Sequence, residues 1–571
     1  MSFDLQSVPF STYGSYLAVS HMQARDGQPS GLYLRSCHKQ SGTTRCLRLA
    51  LVVDGAEVEF TSAAEPDCLH LQCPAGWVDL VFDDARTLRA RGEGVSLRLG
   101  QDQCASGDAA LPRRAEQWQV RLFSRNFNAM LIPLHGQLEV EAPWQMDHST
   151  SIRIEARPDP GSEKFEIAIE EFDCEWQRRQ YTRTFEQCRK AAAEAYQLFL
   201  RNLPRTPRSL NAARELAGYI LWSAAVGPHG HFQRDTVLMS KNHMAGVWSW
   251  DNCFNAMALA GQNPELAWDQ IMTVFDHQDP MGALPDAIGE GHLVRAFVKP
   301  PIYGWTLKWI SRNTSMLTPE RVAEIYPRLC ALTEWWFANR DDDRDGICQY
   351  NHGNDSGWDN ATIFAAGCPI ESPDLMAWLI AQMDFLADAA GMLGKTDQAD
   401  AWRKRSDRQL TQMIEKLWQV DQFVATVPES QWVQPEDTGD SLILYMPILL
   451  GERLSDEIRE KMIASLRQSG RFFTKFGYAT ESPKSPLYEA DGYWRGPIWA
   501  PPTMILADGL ARSGQEGLAH EIARRFCRMC AQSGFAENFD AQTGQPLRDK
   551  AYTWTASVFL VLASQFLLSD R

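Results

Sequence analysis

Residues 184–202 (TFEQCRKAAAEAYQLFLRN) and 209–225 (SLNAARELAGYILWSAA) mark the point at which the pattern of the chain changes. Both segments repeat apolar residues at helical spacing and are rich in good helix formers. The residues that precede them alternate apolar and polar side chains in short runs separated by turn residues. We therefore predict a β-rich domain over residues 1–180 and an all-α domain over residues 181–571.

Short alternating segments with no helix between them predict an antiparallel β-sandwich in the first domain. These segments are 32–35, 46–53, 78–82, 95–99, 118–123, 137–140, 152–156 and 165–169. Helical patterns then continue to the end of the chain, at 264–277, 319–339, 373–393, 397–419, 455–467, 500–513, 515–532 and 552–568. An all-α domain of this size most simply closes into a ring of helix pairs. Two roles are possible for the first domain. It either supports or covers a functional site as a lid, or it only stabilises the fold.

The composition excludes several classes of partner. The chain has 571 residues and a net charge of −16, which argues against nucleic acid or an anionic membrane as a partner. We find no charge-free apolar run long enough to cross a membrane. The thirteen cysteines are odd in number and show no paired spacing. We therefore predict reduced thiols in a cytoplasmic protein.

Twenty tryptophans are the unusual feature of the composition, and several stand beside carboxylates. In the stretch 354–362 (NDSGWDNAT), Gly357 allows a tight turn and Trp358 offers a flat face for a sugar ring. An indole beside Asp359 would desolvate the carboxyl group, raise its pKa and suit it to act as a general acid. The alternative is an Asx turn with a packed tryptophan.

Other segments offer residues that could bind a sugar. Trp250 and Asp251 begin a helix-like run, where Asp251 either accepts hydrogen bonds from sugar hydroxyls or caps the helix. The long loop 276–305 contributes Gln278 and Trp305, unless it is a plain connector. The loop 481–502 is dense in Pro, Gly and aromatic residues, and we expect four of its side chains to line a cavity: Tyr493, Trp494, Arg495 and Trp499.

Two further segments carry acidic residues. Glu537, in the loop 534–545, supplies the second carboxylate that a two-carboxylate hydrolase needs, although in isolation it would be read as a surface residue. Asp341, Asp343 and Asp345 match the start of a calcium loop, but His352 stands where the bidentate glutamate of an EF-hand belongs. Asp341–Asp345 therefore has two possible interpretations, a binding site for a structural calcium ion and an acidic turn exposed to solvent.

Five motifs together resemble glycoside hydrolase family 63, in the clan shared with the family 37 trehalases. They are Trp-Ser-Trp-Asp at 248–251, Lys-Pro-Pro at 299–301, Ser-Gly-Trp-Asp-Asn at 356–360, Tyr-Trp-Arg-Gly-Pro-Ile-Trp at 493–499 and Glu-Asn-Phe-Asp at 537–540. The resemblance implies an (α/α)6 barrel after the β-sandwich and an inverting α-glycosidase that needs no cofactor. Ala361-Thr362 departs from the Ser-Pro that family members often carry.

The resemblance also implies the roles of individual residues. Asp359 would be the general acid and Glu537 the general base. The nonreducing-end sugar would be surrounded by Trp250, Asp251, Trp358, Trp494 and Arg495. The expected substrate is an α-linked glucoside, such as a disaccharide, a short oligosaccharide or a glucosylglycerate-like compound. A phosphorylase or transferase on a similar barrel and an inactive carbohydrate-binding protein are the alternatives.

Overall fold

A computed structural model describes residues 1–25, 27–38, 44–114, 116–428 and 439–568. The large β-sheets are formed before residue 172 and the α-helices begin at residue 185. The strands of the first part are β1 Leu17–Met22, β2 Gly31–Ser36, β3 Arg45–Val53, β4 Ala56–Val58, β5 Thr61–Glu65, β6 Cys68–Cys73, β7 Gly76–Asp84, β8 Thr87–Glu93, β9 Ser96–Gln101, β10 Ala109–Pro112, β11 Trp118–Leu122, β12 Phe127–His135, β13 Gln137–Glu141, β14 Trp144–Gln145, β15 His148–Ser149, β16 Ile152–Arg157 and β17 Lys164–Glu171.

Fifteen of these strands form two antiparallel sheets that pack as a sandwich, and β14 and β15 form a separate two-stranded sheet. One sheet has the order β1-β2-β3-β9-β16-β13, with β4 paired to β3. The other has the order β10-β11-β12-β17-β8-β7-β6-β5. Alternate side chains, among them Leu49, Leu97 and Ile167, point inward from both sheets and form one apolar core. The predicted β-sandwich is therefore confirmed.

Twelve α-helices follow within the described residues. They are α1 Phe185–Arg201, α2 Asn211–Ala224, α3 Asp251–Leu259, α4 Pro264–Phe275, α5 Tyr303–Asn313, α6 Pro319–Asn339, α7 Pro373–Met392, α8 Thr396–Leu417, α9 Asp456–Arg467, α10 Ala500–Arg512, α11 Glu516–Ser533 and α12 Thr553–Phe566. A kinked 3-10 segment, Leu442–Arg453, contains Pro447 and a non-helical Gly451. The other 3-10 turns are Phe123–Arg125, Arg208–Leu210, Gly353–Ser356 and Thr362–Phe364.

The helical part closes into a ring. Helices α3, α5, α7, the segment Leu442–Arg453, α10 and α12 contact one another in that order, and α12 returns to α3. The remaining helices from α2 onward pack outside this inner ring, and α1 lies against β7 of the sandwich. This arrangement is the predicted (α/α)6 barrel.

The sequence pattern identified the outer helices more readily than the inner ones. The sequence predicts α3 only as a helix-like run that begins at Asp251, and it does not predict α5; the nine residues of α3 are all buried and α5 is mostly buried. A helix without a polar face has no amphipathic period. Helix α7 is long and apolar enough to cross a membrane by length and composition, but most of it is buried inside the barrel.

Short antiparallel hairpins connect the helices at one end of the barrel. Their strands are β18 Ala225–Val226, β19 Thr236–Val237, β20 Val247–Trp248, β21 Ala287–Gly289, β22 His292–Val294, β23 Gln349–Tyr350, β24 Ile370–Glu371, β25 Trp418–Gln419, β26 Gln422–Phe423, β27 Ile498–Trp499, β28 Asn538–Phe539 and β29 Pro546–Leu547. Two candidate acids lie close to such strands: Asp251 is at the start of the inner helix α3, and Glu537 directly precedes β28.

Candidate active site

Asp251 is the first residue of α3 and is held in place by a small sheet. Strand β20, which ends at Trp248, pairs with β21, and Ser249 N donates to the backbone oxygen of Asp286 over 3.0 Å. Asp251 is 3% exposed, and its side chain does not cap the helix. The hydroxyl of Tyr552 lies 3.5 Å from its Oδ2. The capping role is therefore wrong, and the carboxyl group is turned into the barrel.

Asp359 follows a turn that only glycine tolerates. Gly357 has a φ of +73°, and a Cβ atom added there would lie 2.6 Å from the ring of Trp250. The turn is tied together by Asp355, whose carboxylate accepts hydrogen bonds from the backbone nitrogens of Val298, Asn351 and His352. The backbone around Asp359 is therefore fixed by buried hydrogen bonds, and its side chain remains 31% exposed.

Glu537 is placed by the sheet β27-β28-β29. Its backbone nitrogen donates to the oxygen of Asp549 over 2.7 Å, and Asn538 pairs with Trp499 across the sheet. The Tyr493 phenol lies close enough to the Glu537 carboxylate to oppose the rise in its pKa. Glu537 is 7% exposed, so it is not the surface residue of the alternative interpretation.

Burial raises the pKa values of all three acids. The pKa of Asp359 rises to about 6 because the group is buried, although the positive charge of Lys299 opposes the rise. The pKa of Glu537 rises to about 7 because of burial and the nearby charge of Asp549. Burial also raises the pKa of Asp251, and the charges of Asp359 and Glu537 add to that effect. The three carboxyl groups therefore share one electrostatic environment.

Lys299 is a buried cation beside Asp286 and Asp359. Its Nζ lies 3.0 Å from Asp286 Oδ1 and 3.9 Å from Asp359 Oδ1, and it donates to the backbone oxygen of Asn354 over 2.6 Å. Lys299 is 5% exposed. A buried ammonium group that faces two carboxylates keeps part of the site's negative charge neutralised. Asp286 belongs to the site for the same reason.

Tryptophan rings form the wall beside these acids. Trp494 stacks on Trp499 with ring centroids 3.9 Å apart and an interplanar angle of 6°. Trp358 lies 4.8 Å and Trp250 6.1 Å from the Trp494 ring. Trp554 closes the cluster at 5.6 Å from both Trp250 and Trp499. Four of the predicted aromatic residues, Trp250, Trp358, Trp494 and Trp499, are thus brought together.

Several buried polar atoms in this region lack a hydrogen-bond partner within the described part of the chain, and two of them point to a ligand. They are Oδ1 of Asp251 and Nε1 of Trp494. An unsatisfied buried polar atom costs on the order of 1–3 kcal/mol, so such atoms usually serve a ligand or a water molecule. An acceptor and a donor are both available here, which is what a sugar hydroxyl needs.

A cavity of about 500 Å³ opens beside Asp359, with Arg495 and His352 among the residues that line it. Arg495 forms an ion pair with Glu489 over 2.8 Å, at a position where both side chains are partly exposed. Arg495 therefore has a carboxylate partner at the protein surface. Its partner lies on the same loop, so the guanidinium still reaches the cavity.

Gln278 and Trp305 make their hydrogen bonds within the protein. The Gln278 amide donates to the backbone oxygens of Gly282 and Arg328. The Trp305 indole donates to Asp508 over 3.1 Å, and its ring packs on Trp378. Both residues support the loops and helices behind the site, and direct contact with a sugar stays a prediction for each.

Three site residues were missed when the sequence was read: Asp286 as a partner of Lys299, Tyr552 beside Asp251, and Arg548 beside Glu537. Arg548 lies over the Tyr493 ring at 4.9 Å, and its charge opposes the rise in the pKa of Glu537. These residues come close to the acids because the hairpins pair and because the helices close into a barrel. The local sequence around each carries no signal of that proximity.

The acidic loop 341–346 lies outside the site. Carboxylate oxygens of Asp341, Asp343 and Asp345 lie within 4.8 Å of one another. Lys416 pairs with Asp345, and Gly346 N donates to Asp341 over 3.2 Å. The lysine supplies part of the positive charge that a calcium ion would bring. A structural calcium ion here stays a prediction.

Comparison with known proteins identifies the family of the chain. The model of the mannosylglycerate hydrolase MGH1-like glycoside hydrolase domain matches residues 244–555. The chain belongs to this family of glycoside hydrolases, within family 63. The matched range contains Asp251, Asp359 and Glu537 together with the tryptophan wall. The family resemblance stated from the motifs is therefore confirmed, and the protein is a glycoside hydrolase.

Two relatives illustrate the distance within the family. The mannosylglycerate hydrolase of Thermus thermophilus is 21% identical over 391 residues, which cover 55% of this chain and 93% of the relative. The glucosylglycerate hydrolase of Mycolicibacterium hassiacum is 23% identical over 413 residues, which cover 55% of this chain and 91% of the relative.

Solved structures share the fold. The family 63 mannosylglycerate hydrolase of Thermus thermophilus in complex with glucose has a TM-score of 0.53 and 18% identity, covering 61% of this chain and 98% of that one. A bacterial glucoamylase in complex with acarbose has a TM-score of 0.60 and 10% identity, covering 99% of this chain and 94% of that one. The glucoamylase match therefore extends over the β-sandwich as well as the barrel.

Proposed function

We propose that the protein is an exo-acting, inverting α-glycosidase that hydrolyses an α-linked glucoside with Asp359 as general acid and Glu537 as general base. The observation that carries this proposal is the electrostatic link between the two acids. Both charges act on Asp251 and on the Tyr493 phenol, although the acids come from loops far apart in the chain. Two carboxyl groups that face one sugar-sized space are what inverting hydrolysis requires.

Asp359 is suited to protonate the glycosidic oxygen. It is the most exposed of the three acids and borders the cavity that a leaving group would occupy. Burial lifts its pKa to about 6, so a protonated fraction is present near neutral pH. Lys299, 3.9 Å away, stabilises the carboxylate that remains after the proton is given up.

Glu537 is suited to deprotonate the attacking water. The Tyr493 phenol stabilises its ionised form. The pKa of about 7 makes it a stronger base than an ordinary glutamate. The pKa of the proposed base, Glu537, is higher than the pKa of the proposed acid, Asp359. The active ionisation state has Glu537 charged and Asp359 neutral. It is therefore the minor form of the pair when the two groups share one proton.

The nonreducing-end sugar would lie between Asp251 and the tryptophan wall. The free Oδ1 of Asp251 would accept a hydrogen bond from a sugar hydroxyl, and Nε1 of Trp494 would donate one. The aromatic rings exclude bulk water and offer an apolar face to the pyranose. A buried acid and a closed wall favour binding of a chain end, which supports an exo mode of attack.

The aglycone would occupy the cavity of about 500 Å³ beside Asp359, where Arg495 supplies a positive charge. A carboxylate on the aglycone, as in a glucosylglycerate-like substrate, would pair with that guanidinium. Two other cations of the chain make their contacts within the protein. Lys241 is buried and donates to Ser11 and Ser15, and Arg295 donates to the backbone oxygen of His277.

A substrate screen tests the proposal. The purified protein is incubated with α-linked disaccharides, glucosylglycerate and mannosylglycerate, and proton NMR follows the anomer released first. We expect β-glucose to appear first from one α-glucoside, because inversion reverses the anomeric configuration. Initial release of the α anomer would contradict the inverting mechanism, and release of mannose alone would contradict the glucoside assignment.

The same screen separates the alternatives. A phosphorylase would give a sugar 1-phosphate only when inorganic phosphate is added, and a binding protein would retain sugar without cleaving it. The acids at Asp359 and Glu537 favour hydrolysis, because phosphorolysis needs an anion pocket where Glu537 lies. The proposal places the protein in the cytoplasm with its thirteen cysteines reduced, and the structure shows all thirteen as free thiols.

A further inference from the structure

We propose that His38, His229 and Glu290 form a transition-metal site, best suited to zinc, that ties the β-sandwich to the barrel. His38 lies just beyond β2 of the sandwich, whereas His229 and Glu290 belong to loops of the barrel. The site is distinct from the three acids of the hydrolase. The assignment does not depend on the substrate or on the mechanism.

The donor atoms converge on one point. Nδ1 of His229 lies 2.7 Å and Nδ1 of His38 lies 3.8 Å from Oε1 of Glu290. One ligand atom from each residue lies within 4.8 Å of the other two. Donor atoms bound to one zinc ion at about 2.0–2.2 Å are necessarily this close to one another. On binding, the His229–Glu290 hydrogen bond would be replaced by two metal bonds.

The far side of each imidazole faces a carboxylate. Nε2 of His229 lies 3.0 Å from Asp173, and Nε2 of His38 lies 3.5 Å from Glu171. Ser36 in turn donates to Glu171 over 2.9 Å. Histidines that bind metals almost always give their second ring N–H to a carboxylate, a carbonyl or a water, which fixes the tautomer. Both histidines are therefore held with Nδ1 toward Glu290.

A second observation points to a missing ligand. Nδ1 of His38 makes no hydrogen bond among the residues that the structure describes: Glu290 Oε1 faces it at 3.8 Å, beyond hydrogen-bond distance, and the side chain is only 9% exposed. A buried ring nitrogen that makes no hydrogen bond is costly, and this one faces the other two donors. A metal ion would satisfy its lone pair.

The surrounding residues hold the three ligands rigidly. Tyr16 stacks on the His38 ring with centroids 4.1 Å apart and an angle of 10°. His231 N donates to the Glu290 backbone oxygen over 2.8 Å, and a Cβ added at Gly230 would lie 2.2 Å from that oxygen. His229 is 27% exposed, which leaves a route for an ion to enter.

The donor set selects the kind of metal. Two imidazoles and one carboxylate suit zinc or another late first-row ion, whereas calcium prefers oxygen donors alone. A water molecule would complete a tetrahedral shell. Because the ligands come from both domains, the ion would stabilise their contact.

Metal binding to the full-length chain tests the proposal. Protein stripped with a chelator is titrated with Zn²⁺, and bound metal is measured by elemental analysis after gel filtration. Cobalt replaces zinc in a parallel titration, so that visible absorption reports nitrogen ligands. His38→Gln and His229→Gln each remove one donor, and His135→Gln is the matched control, since His135 is exposed and contacts Ser162. Circular dichroism checks that each variant is folded.

We expect about one equivalent of zinc in the wild type and in His135→Gln, a cobalt spectrum of tetrahedral type, and affinity at least about 100-fold weaker in the two site variants. Zinc should also raise the unfolding temperature of the wild type but not of the site variants. Stripped wild-type protein that takes up no zinc, or metal bound equally well by both site variants, would overturn the assignment.

Discussion

Asn360 and Trp494, far apart in the chain, are joined directly beside the proposed acid. The backbone nitrogen of Trp494 donates to Oδ1 of Asn360 over 3.0 Å, and Nδ2 of Asn360 donates to the backbone oxygen of Gly492 over 3.1 Å. One side-chain amide thus fixes the loop that carries the tryptophan wall to the loop that carries Asp359. The position of the acid relative to the sugar depends on this clamp.

Replacing Asn360 by alanine should therefore impair catalysis more than folding. Two partly buried hydrogen bonds are lost, each worth about 0.5–1.5 kcal/mol of stability. We expect kcat to fall by about 100-fold, because small errors in position slow chemistry strongly. Steady-state kinetics and thermal unfolding measure the two effects. Asn339→Ala is the matched control, since that amide bonds only to its own helix at Trp335. Equal kcat in both variants would contradict the clamp.

The rate should depend on pH as a narrow bell. Asp359, with a pKa of about 6, must be protonated, and Glu537, with a pKa of about 7, must be ionised. The acidic limb therefore reflects protonation of the pair below about pH 6, and the basic limb reflects loss of the last proton above about pH 7. Between them the active form is the minor one of the two singly protonated states. A profile of kcat/KM that is flat from about pH 4 to 9 would contradict these assignments.

Glu537→Gln should stabilise the folded protein at alkaline pH. The folded pKa of Glu537 is raised to about 7 from an ordinary value of 4.5, so the folded state binds more protons than the unfolded chain between these values. Stability is therefore lost as pH rises through this window. The amide removes that loss, which is on the order of 1–3 kcal/mol. Thermal unfolding at pH 8 and pH 4 should show a higher melting temperature for the variant at pH 8 only. A variant that is less stable than wild type at pH 8 would show that burial of this charge is not costly.

Arg495→Met should discriminate between charged and uncharged aglycones. The guanidinium borders the cavity beside Asp359 and is the cation expected to meet an aglycone carboxylate. Removing it should raise KM for a glycosylglycerate by about tenfold and change KM for a neutral disaccharide little. Arg524→Met, at a surface pair with Glu521, is the control. An equal rise in KM for both substrates would show that Arg495 does not recognise charge.

The sequence predicted the architecture better than the contacts within the site. Helices with a polar face, such as α1 and α8, were identified within two residues of their ends. Helix α1 also begins with a capping box between Thr184 and Gln187. The fully buried α3 left no such pattern.

The acids were proposed from motifs, but their partners were not. Asp286 meets Lys299 because the loop between α4 and α5 folds back on itself. Arg548 reaches Glu537 through pairing of β28 with β29. Contacts of this kind depend on how hairpins close the end of the barrel, and neither propensity nor spacing encodes them.

Turnover by Asp359→Asn and Glu537→Gln tests the central claim most directly. Each variant keeps the size of the side chain and removes one proton-transfer group. The controls are Asp397→Asn and Glu460→Gln, at exposed positions of α8 and α9. On the substrate found by the screen, we expect kcat to fall by about 10³-fold or more in each site variant and to be unchanged in the controls. Hydrolysis at a rate near wild type by either folded site variant would contradict the assignment of Asp359 and Glu537 as acid and base.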